Sequence, residues 1–253
     1  MELVVAPIDE LRPRLTEAFE RWAGDDAGNP KGLPPPQLTP RTCALSGGAT
    51  ALIFLGALRN ANVDWSRISL FWADERAVAP DHPDSNYGIA DRMLLQPLGA
   101  RAPRAFRMAF DASLDRPLDA AQGRPWSSLG TAAMKYDTVL ARELKSSGLD
   151  LALLGVGEDG HICSLFPGHR ALLADDLRVV AVEDAPKPPP RRLTLSLPFL
   201  LRTKKIWLIA VGPRKLPVLH AALSRTQRTT PLDLLLHQAK DVTVFTDQVI
   251  RRT

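Results

Sequence analysis

The 253-residue sequence has only two cysteines, Cys43 and Cys163, with no C-x-x-C pair and no histidine cluster at zinc-binding spacing. That excludes a disulfide framework or a structural zinc site and leaves two reduced, partly buried thiols, consistent with a cytoplasmic setting. Aromatic residues make up 6%, and no stretch interleaves them with basic residues or matches a nucleic-acid module, so no nucleic acid is expected as partner. No apolar run approaches the ~20 residues of a membrane span, so no membrane is expected either. The N-terminal MELVVAPIDELRPR lacks a basic start, a long apolar centre and a cleavage site, and reads as mature sequence. There is no long Lys/Arg block: the formal charge of +4 is scattered, which favours a small phosphorylated ligand over a polyanion.

What is present is an alternation. At 45% hydrophobic, the chain is long enough for one substantial core, and a single domain over residues 1–253 is expected. TCALSGG, ISLFWADE, LDLALLGVG, KIWLIAVG and VTVFTD read as buried strands, apolar without clean alternation. TALIFLGALRNA, NYGIADRMLLQPL, SLGTAAMKYDTVLARELKSSG and RKLPVLHAAL read as helices. In the third, Ala133, Tyr136, Leu140 and Leu144 recur at helical spacing, with Ser127 or Ser128 as cap. Strands alternating with helices imply an α/β fold, a mostly parallel twisted sheet with helices on both faces. Residues 24–40 and 111–125, rich in Pro, Gly and Asp, read as surface loops. APKPPPRR, Ala185 to Arg192, reads as a proline-stiffened loop that ends in two arginines and so could hold a cation in a fixed place.

Four constellations carry chemistry. In SGGATA a strand breaks on Gly47 and Gly48 and re-enters as a helix, a turn that aims backbone N–H groups at one spot and suits a phosphate, with Ser46 and Thr50 as hydroxyl donors. A small-residue turn is also a steric need of any strand-to-helix corner, and the P-loop spacing is missing. In WADERAVAPDHPDSNYG a strand ends on Asp74, Glu75 and Arg76, where open α/β sheets place their ligand crevice; a solvated end with an Asp–Arg pair is the plainer alternative. Asp84, Ser85 and Asn86 read as a helix cap. In GPRKLPVLHAAL, Lys215 sits in the first turn of a helix, against the dipole, which calls for an anionic partner or for solvent. With Arg192 it would close a phosphate site opposite SGGAT.

The fourth, LLGVGEDGHICSLFPGH from Leu153 to His169, contains G-x-G-x-x-G after a strand, the pattern of a dinucleotide turn. The required helix is missing, because Pro167-Gly168 follows within eight residues of His161. The other reading is catalytic: His161 as a base near neutral pH and Asp159 orienting its ring. No G-x-S-x-G elbow accompanies Ser164, so no acyl-enzyme is expected.

Together and in this order, SGGATA, ADERAV with the later SN, LLGVGEDGHICSLFPG, KPPPRRLTLSLP and the GPRK helix start resemble the 6-phosphogluconolactonases, over nearly the whole chain. The resemblance implies a modified Rossmann-like fold and hydrolysis of 6-phospho-D-glucono-1,5-lactone in the oxidative pentose phosphate pathway, without metal or redox cofactor. It implies His161, Asp159, Arg76 and Asp74 as catalytic residues and Ser46, Gly47, Gly48, Thr50, Arg192 and Lys215 as the phosphate site. The related glucosamine-6-phosphate deaminases need a further Glu a few residues after the loop histidine, where this chain has Phe166, and tend to carry Tyr at the position of Arg76. Ala49, Ala51 and Ile162-Cys163 depart from the usual lactonase residues without removing a group the chemistry obviously needs.

Overall fold

A computed structural model of the protein describes residues 1–24, 40–110, 128–224 and 229–250. In chain order these form β1 (Glu2–Val5), α1 (Ile8–Gly24), β2 (Arg41–Leu45), α2 (Ala51–Asn60), β3 (Ile68–Trp72), β4 (Asp74–Arg76), α3 (Asn86–Ala90), α4 (Gln96–Leu98), β5 (Arg104–Phe106) and α5 (Ser128–Leu144). There follow β6 (Leu151–Gly155), β7 (Val179–Val182), β8 (Arg192–Leu195), α6 (Leu197–Leu200), β9 (Lys205–Ala210), α7 (Leu216–Ser224), α8 (Pro231–Gln238) and β10 (Val242–Thr246). Four of the five strands expected from the sequence, and the four helical segments, are present, while ISLFWADE is divided between β3 and β4. The segment expected as one helix over 86–98 is α3 and α4 joined by a π-helical turn, Asp91–Leu95. Of the expected loops, 24–40 and 111–125 lie outside the described residues apart from Gly24, the last residue of α1, and Pro40. Ser127 also lies outside them, while Ser128 opens α5.

Among the described residues, seven strands pair in the order β1-β10-β9-β6-β2-β3-β5, every pair parallel. Strands β3, β9 and β10 are buried at nearly every residue because both sheet faces are covered, which explains why they read as continuous apolar runs. The buried apolar side chains form one continuous cluster. α1 contributes Leu11, Leu15, Phe19 and Trp22 at spacings of four, four and three, and Phe19 packs its ring on Trp22 and Trp65. Burying each such side chain contributes about 1.5–3 kcal/mol. Cys43 and Cys163 are unpaired and more deeply buried than expected. Among the described residues, no helix is long and apolar enough to cross a membrane, and no group of three or more His, Cys, Asp or Glu could hold a metal ion.

ISLFWADE is not one strand. It breaks at Ala73, and Asp74–Arg76 joins a separate antiparallel sheet in the order β4-β8-β7. That break turns the ionisable residues away from the main sheet and over its carboxyl edge. From β2 the chain steps one way to β3 and β5, and from β6 the other way to β9 and β10, so the order reverses between β2 and β6. Such a reversal leaves a crevice at the carboxyl ends of the strands, because the connecting helices on either side depart to opposite faces. The loops SGGAT and GVGEDGH leave from the two strands at that point.

Candidate active site

A cavity of about 470 Å3 opens at the reversal, walled by the turns after β2, β6 and β9 and by the small sheet. Five cationic side chains line it, Arg76, Lys187, Arg192, Arg214 and Lys215, against the carboxylates of Asp74 and Glu158. The excess of positive charge in a concave site suits an anionic ligand.

The floor is the SGGAT turn. Ser46 Oγ accepts from Gly155 N at 2.9 Å, and Ser46 N donates to Leu153 O at 3.0 Å, which fastens the ends of β2 and β6 together. The Ser46 hydroxyl proton is therefore free for a ligand. The N–H groups of Gly47, Gly48, Ala49 and Thr50 have no acceptor among the described residues, and Thr50 makes no side-chain cap on α2. Unpaired N–H groups at a helix start present positive charge to whatever fills the cavity. A Cβ on Gly47 would fall 1.7 Å from Asn86 Oδ1, so only glycine fits there.

The catalytic candidate sits on the loop after β6. Gly157 N donates to His161 O at 2.8 Å and Gly160 N to Gly157 O at 3.1 Å, closing a tight turn. From α8, Leu232 N donates to Gly160 O at 3.0 Å. A Cβ on Gly157 would lie 2.0 Å from His161 Nδ1. Gly157 thus makes room for an imidazole, while Gly155 and Gly160 make room for Thr50 and Thr230, and no helix follows the three glycines; the next one is the 3-10 turn Arg170–Leu173. His161 Nδ1 lies 2.5 Å from Asp159 Oδ1. Since the carboxylate only accepts, Nδ1 carries the proton and Nε2 is the unprotonated nitrogen. The ring packs against Phe166, centroids 4.7 Å apart and planes tilted by 35°.

The electrostatics follow from burial and neighbours. Burial lowers His161 below the ordinary imidazole value, and Asp159 opposes this only in part. Burial works to raise the Asp159 carboxyl, but Lys187 and His161 outweigh it and hold it at about 2. Lys215, 18% exposed, is lowered by burial, with Glu158 3.9 Å away as its partly compensating anion. Lys215 ends the 3-10 turn Pro213–Lys215 just before α7, rather than lying inside the helix.

Asp74 does not pair with Arg76, as a solvated strand end would have it. It is 3% exposed, its Oδ1 accepts from Asn86 Nδ2 at 3.1 Å and its Oδ2 from Ser164 Oγ at 2.9 Å. Arg76 Nη1 instead donates to Asp84 O at 2.8 Å, while its buried Nε has no partner among the described residues. Glu75 takes no part in the cavity wall. It accepts from the N–H groups of Arg76, Asn86 and Tyr87, each at 2.7 Å, and so holds the start of α3. Burial pushes its carboxyl up to about 7 against the lowering effect of those three bonds. Ser85 caps α3 through Gly88 N at 3.0 Å, as expected from the sequence.

The structure therefore brings all ten sequence-expected residues to one place, but not all in the expected posture. Arg192 lines the cavity, yet its Nε and Nη2 donate to the carbonyls of Pro189, Lys187 and Pro188 at 2.8, 2.8 and 3.0 Å. Lys187 and Asn86 were missed, and Ser164, set aside as a nucleophile, holds Asp74 instead. Lys187, whose Nζ is 2.9 Å from Asp159 Oδ2, is flanked by prolines in the loop whose expected fixed cations were the two arginines at its end. Asn86 was read only as a cap residue, and its amide reaches Asp74 through space, which no spacing reveals.

Comparison with known proteins agrees with this geometry. A family described as glucosamine-6-phosphate isomerases/6-phosphogluconolactonase matches residues 38–245. A 6-phosphogluconolactonase of Mycobacterium tuberculosis is 37% identical over 185 residues, 71% of this chain and 71% of its own length. A probable 6-phosphogluconolactonase 1 of Arabidopsis thaliana is 35% identical over 187 residues, 72% of this chain and 68% of its own. Among solved structures, a 6-phosphogluconolactonase from Shewanella baltica has a TM-score of 0.77 at 24% identity, covering 97% of each chain. A monomeric glucosamine-6-phosphate deaminase has a TM-score of 0.71 at 20% identity, so the backbone alone does not separate the two chemistries.

Proposed function

The chain belongs to the glucosamine-6-phosphate isomerase/6-phosphogluconolactonase family, and from that premise we propose that it hydrolyses 6-phospho-D-glucono-1,5-lactone to 6-phospho-D-gluconate. The observation that carries this reading is His161: Nδ1 is bound to Asp159, and Nε2 is left as the only ring nitrogen able to take a proton in a cation-lined cavity.

A lactone is an activated ester, so two things suffice: a deprotonated water at C1 and stabilisation of the carbonyl oxygen as it gains charge. His161 Nε2 takes a proton from water as the water oxygen bonds to C1, and the carbonyl π-electrons move onto oxygen. Such base catalysis is typically worth about 10²–10⁴-fold. Asp159 holds the imidazole and balances the imidazolium that forms. Arg76 donates to the oxyanion. When the tetrahedral adduct collapses, the C1–O5 bond breaks and the imidazolium returns its proton to O5. Asp74, whose oxygens accept from Asn86 and Ser164, would accept from a sugar hydroxyl.

The 6-phosphate would sit on Ser46 and on the N–H groups of Gly47, Gly48 and Thr50, facing Lys215, with Arg192 contributing charge. Holding the remote phosphate helps to place C1 against the water. The ligand is a small phosphorylated sugar lactone, and two unpaired cysteines are consistent with a cytoplasmic enzyme.

A deaminase or isomerase reading meets Phe166, whose apolar ring lies under His161 where that resemblance calls for a carboxylate. A non-catalytic sensor would bind phosphosugar and turn nothing over. The test is hydrolysis of freshly generated lactone, coupled to 6-phosphogluconate dehydrogenase, against the rate without enzyme. Hydrolysis above background that His161→Ala abolishes supports the reading; binding of 6-phosphogluconate with no rate above background would leave the sensor.

A further inference from the structure

We propose that Lys187 is a positioning residue for the base His161, and that Arg192 serves the reaction mainly by holding Lys187 in place. The inference rests on the reading of His161 as the base.

Arg192 is 4% exposed, and three of its contacts go to consecutive carbonyls, Lys187 O, Pro188 O and Pro189 O. Its Nη1 approaches Ser164 Oγ at 3.5 Å, and its guanidinium lies over the Phe166 ring that supports His161. A buried guanidinium whose fork is occupied by main-chain oxygens is a clamp on the turn, since each such charge-assisted bond is among the stronger kinds. Prolines at 186, 188, 189 and 190 leave the turn few alternative conformations. Lys187 is thereby presented to the catalytic loop from a different part of the chain.

Its Nζ lies 2.9 Å from Asp159 Oδ2 and 3.3 Å from His161 Nδ1. Both nitrogens are donors, so they do not bond to each other; each takes one oxygen of Asp159. The carboxylate is thus used on both sides, and the ring it orients cannot swing without breaking a bond that Lys187 also fixes. The charged groups facing His161 are Asp159 on its own loop, Lys187 from the proline turn and Asp74 from the start of β4. The two carboxylates favour the imidazolium, and Lys187 is the cation that opposes them. Burial is the main cause that keeps the imidazole neutral, and so available as a base, to lower pH, and Lys187 adds to it. Once protonated, the same ring is a better acid toward O5.

The test combines an NMR titration of the His161 imidazole in the ligand-free protein with pH profiles of kcat/KM, for the wild type, Lys187→Met, Lys187→Arg and Arg192→Met. In Lys187→Met the His161 midpoint should rise by about 0.5–1 pH unit, as expected for a nearby unit charge partly screened by water. The acid limb of kcat/KM should move up with it, while KM at pH 7.5 stays within about twofold. Lys187→Arg should restore the wild-type limb, and Arg192→Met should shift it in the same direction as Lys187→Met. If Arg192→Met fails to give a cooperative melt, the two Lys187 variants decide alone. An unchanged midpoint overturns the proposal, and an unchanged midpoint with a raised KM makes Lys187 a phosphate ligand instead. The titration uses no substrate, so a failure to hydrolyse the lactone would be seen separately from a failure of this inference.

Discussion

Arg76 and Arg192 stand directly opposite one another across the antiparallel pair of β4 and β8, two cations in register on one wall of the cavity. Like charges so placed weaken a sheet, and Arg192 is held below the usual arginine range by burial first and by Arg76 second. The arrangement makes sense as a place for negative charge that arrives with the substrate. Arg76→Gln should therefore leave the melting temperature unchanged or raise it by a degree or two, for roughly 0.5 kcal/mol of relieved repulsion. Turnover should fall by about 10²-fold or more. Thermal denaturation alongside kinetics checks this, and loss of stability in step with activity would make Arg76 a structural residue.

His161→Ala should lower kcat by about 10²–10⁴-fold with KM close to wild type. In the wild type the base works only when neutral, so kcat/KM is lost as pH falls through the His161 value. That value is lowered by burial, so the acid limb should lie below the ~6.5 of a free imidazole. A limb at higher pH would assign the limiting proton to another group.

Lys215→Ala should raise KM for the phosphorylated lactone by about tenfold while sparing kcat, the pattern for an interaction present equally in ground and transition states. Inhibition by inorganic phosphate should weaken in the same variant. Unchanged KM and unchanged phosphate inhibition would remove Lys215 from the phosphate site.

Glu75 gives a stability prediction with a definite sign. Its folded-state value, about 7, lies above the 4.5 of an ordinary glutamate. The folded protein thus keeps a proton over that range which the unfolded chain has released, so this group's contribution falls as pH rises from about 4.5 to about 7. Glu75→Gln should flatten the dependence of melting temperature on pH in this window. It should also lower stability overall, by about 1–3 kcal/mol, because an amide NH2 would face a backbone N–H that now has an acceptor. Melting curves from pH 5 to 8 for both proteins check both effects.

Much of the fold was legible because parallel strands covered on both faces are simply apolar: β2, β3, β6, β9 and β10 announce themselves by composition. Helix α5 was legible through Ala133, Tyr136, Leu140 and Leu144, all buried as their spacing required. Short edge strands such as β5, and the antiparallel β4, β7 and β8, carry too few residues for a period to show. α1 has a clear apolar stripe in Leu11, Leu15, Phe19 and Trp22 and was nonetheless overlooked, with Pro13 interrupting it in sequence.

By itself the sequence marked candidate segments for binding and catalysis. A strand-ending turn of small residues, an imidazole in a glycine loop and a cation at a helix start point to a small phosphorylated ligand, so SGGAT, DGH and Lys215 stand out by residue type and local order, while their individual roles came from the resemblance to the lactonases. What each side chain does with its bonds was decided only by tertiary structure. The break at Ala73 carries Asp74 to Asn86 and Ser164 instead of to Arg76, and the proline turn brings Lys187 onto Asp159 from 28 positions further along the chain. Arg192 is turned inward onto carbonyls by the same turn. These are contacts between segments far apart in sequence, set by how the sheet reverses direction between β2 and β6, and local patterning holds no record of them.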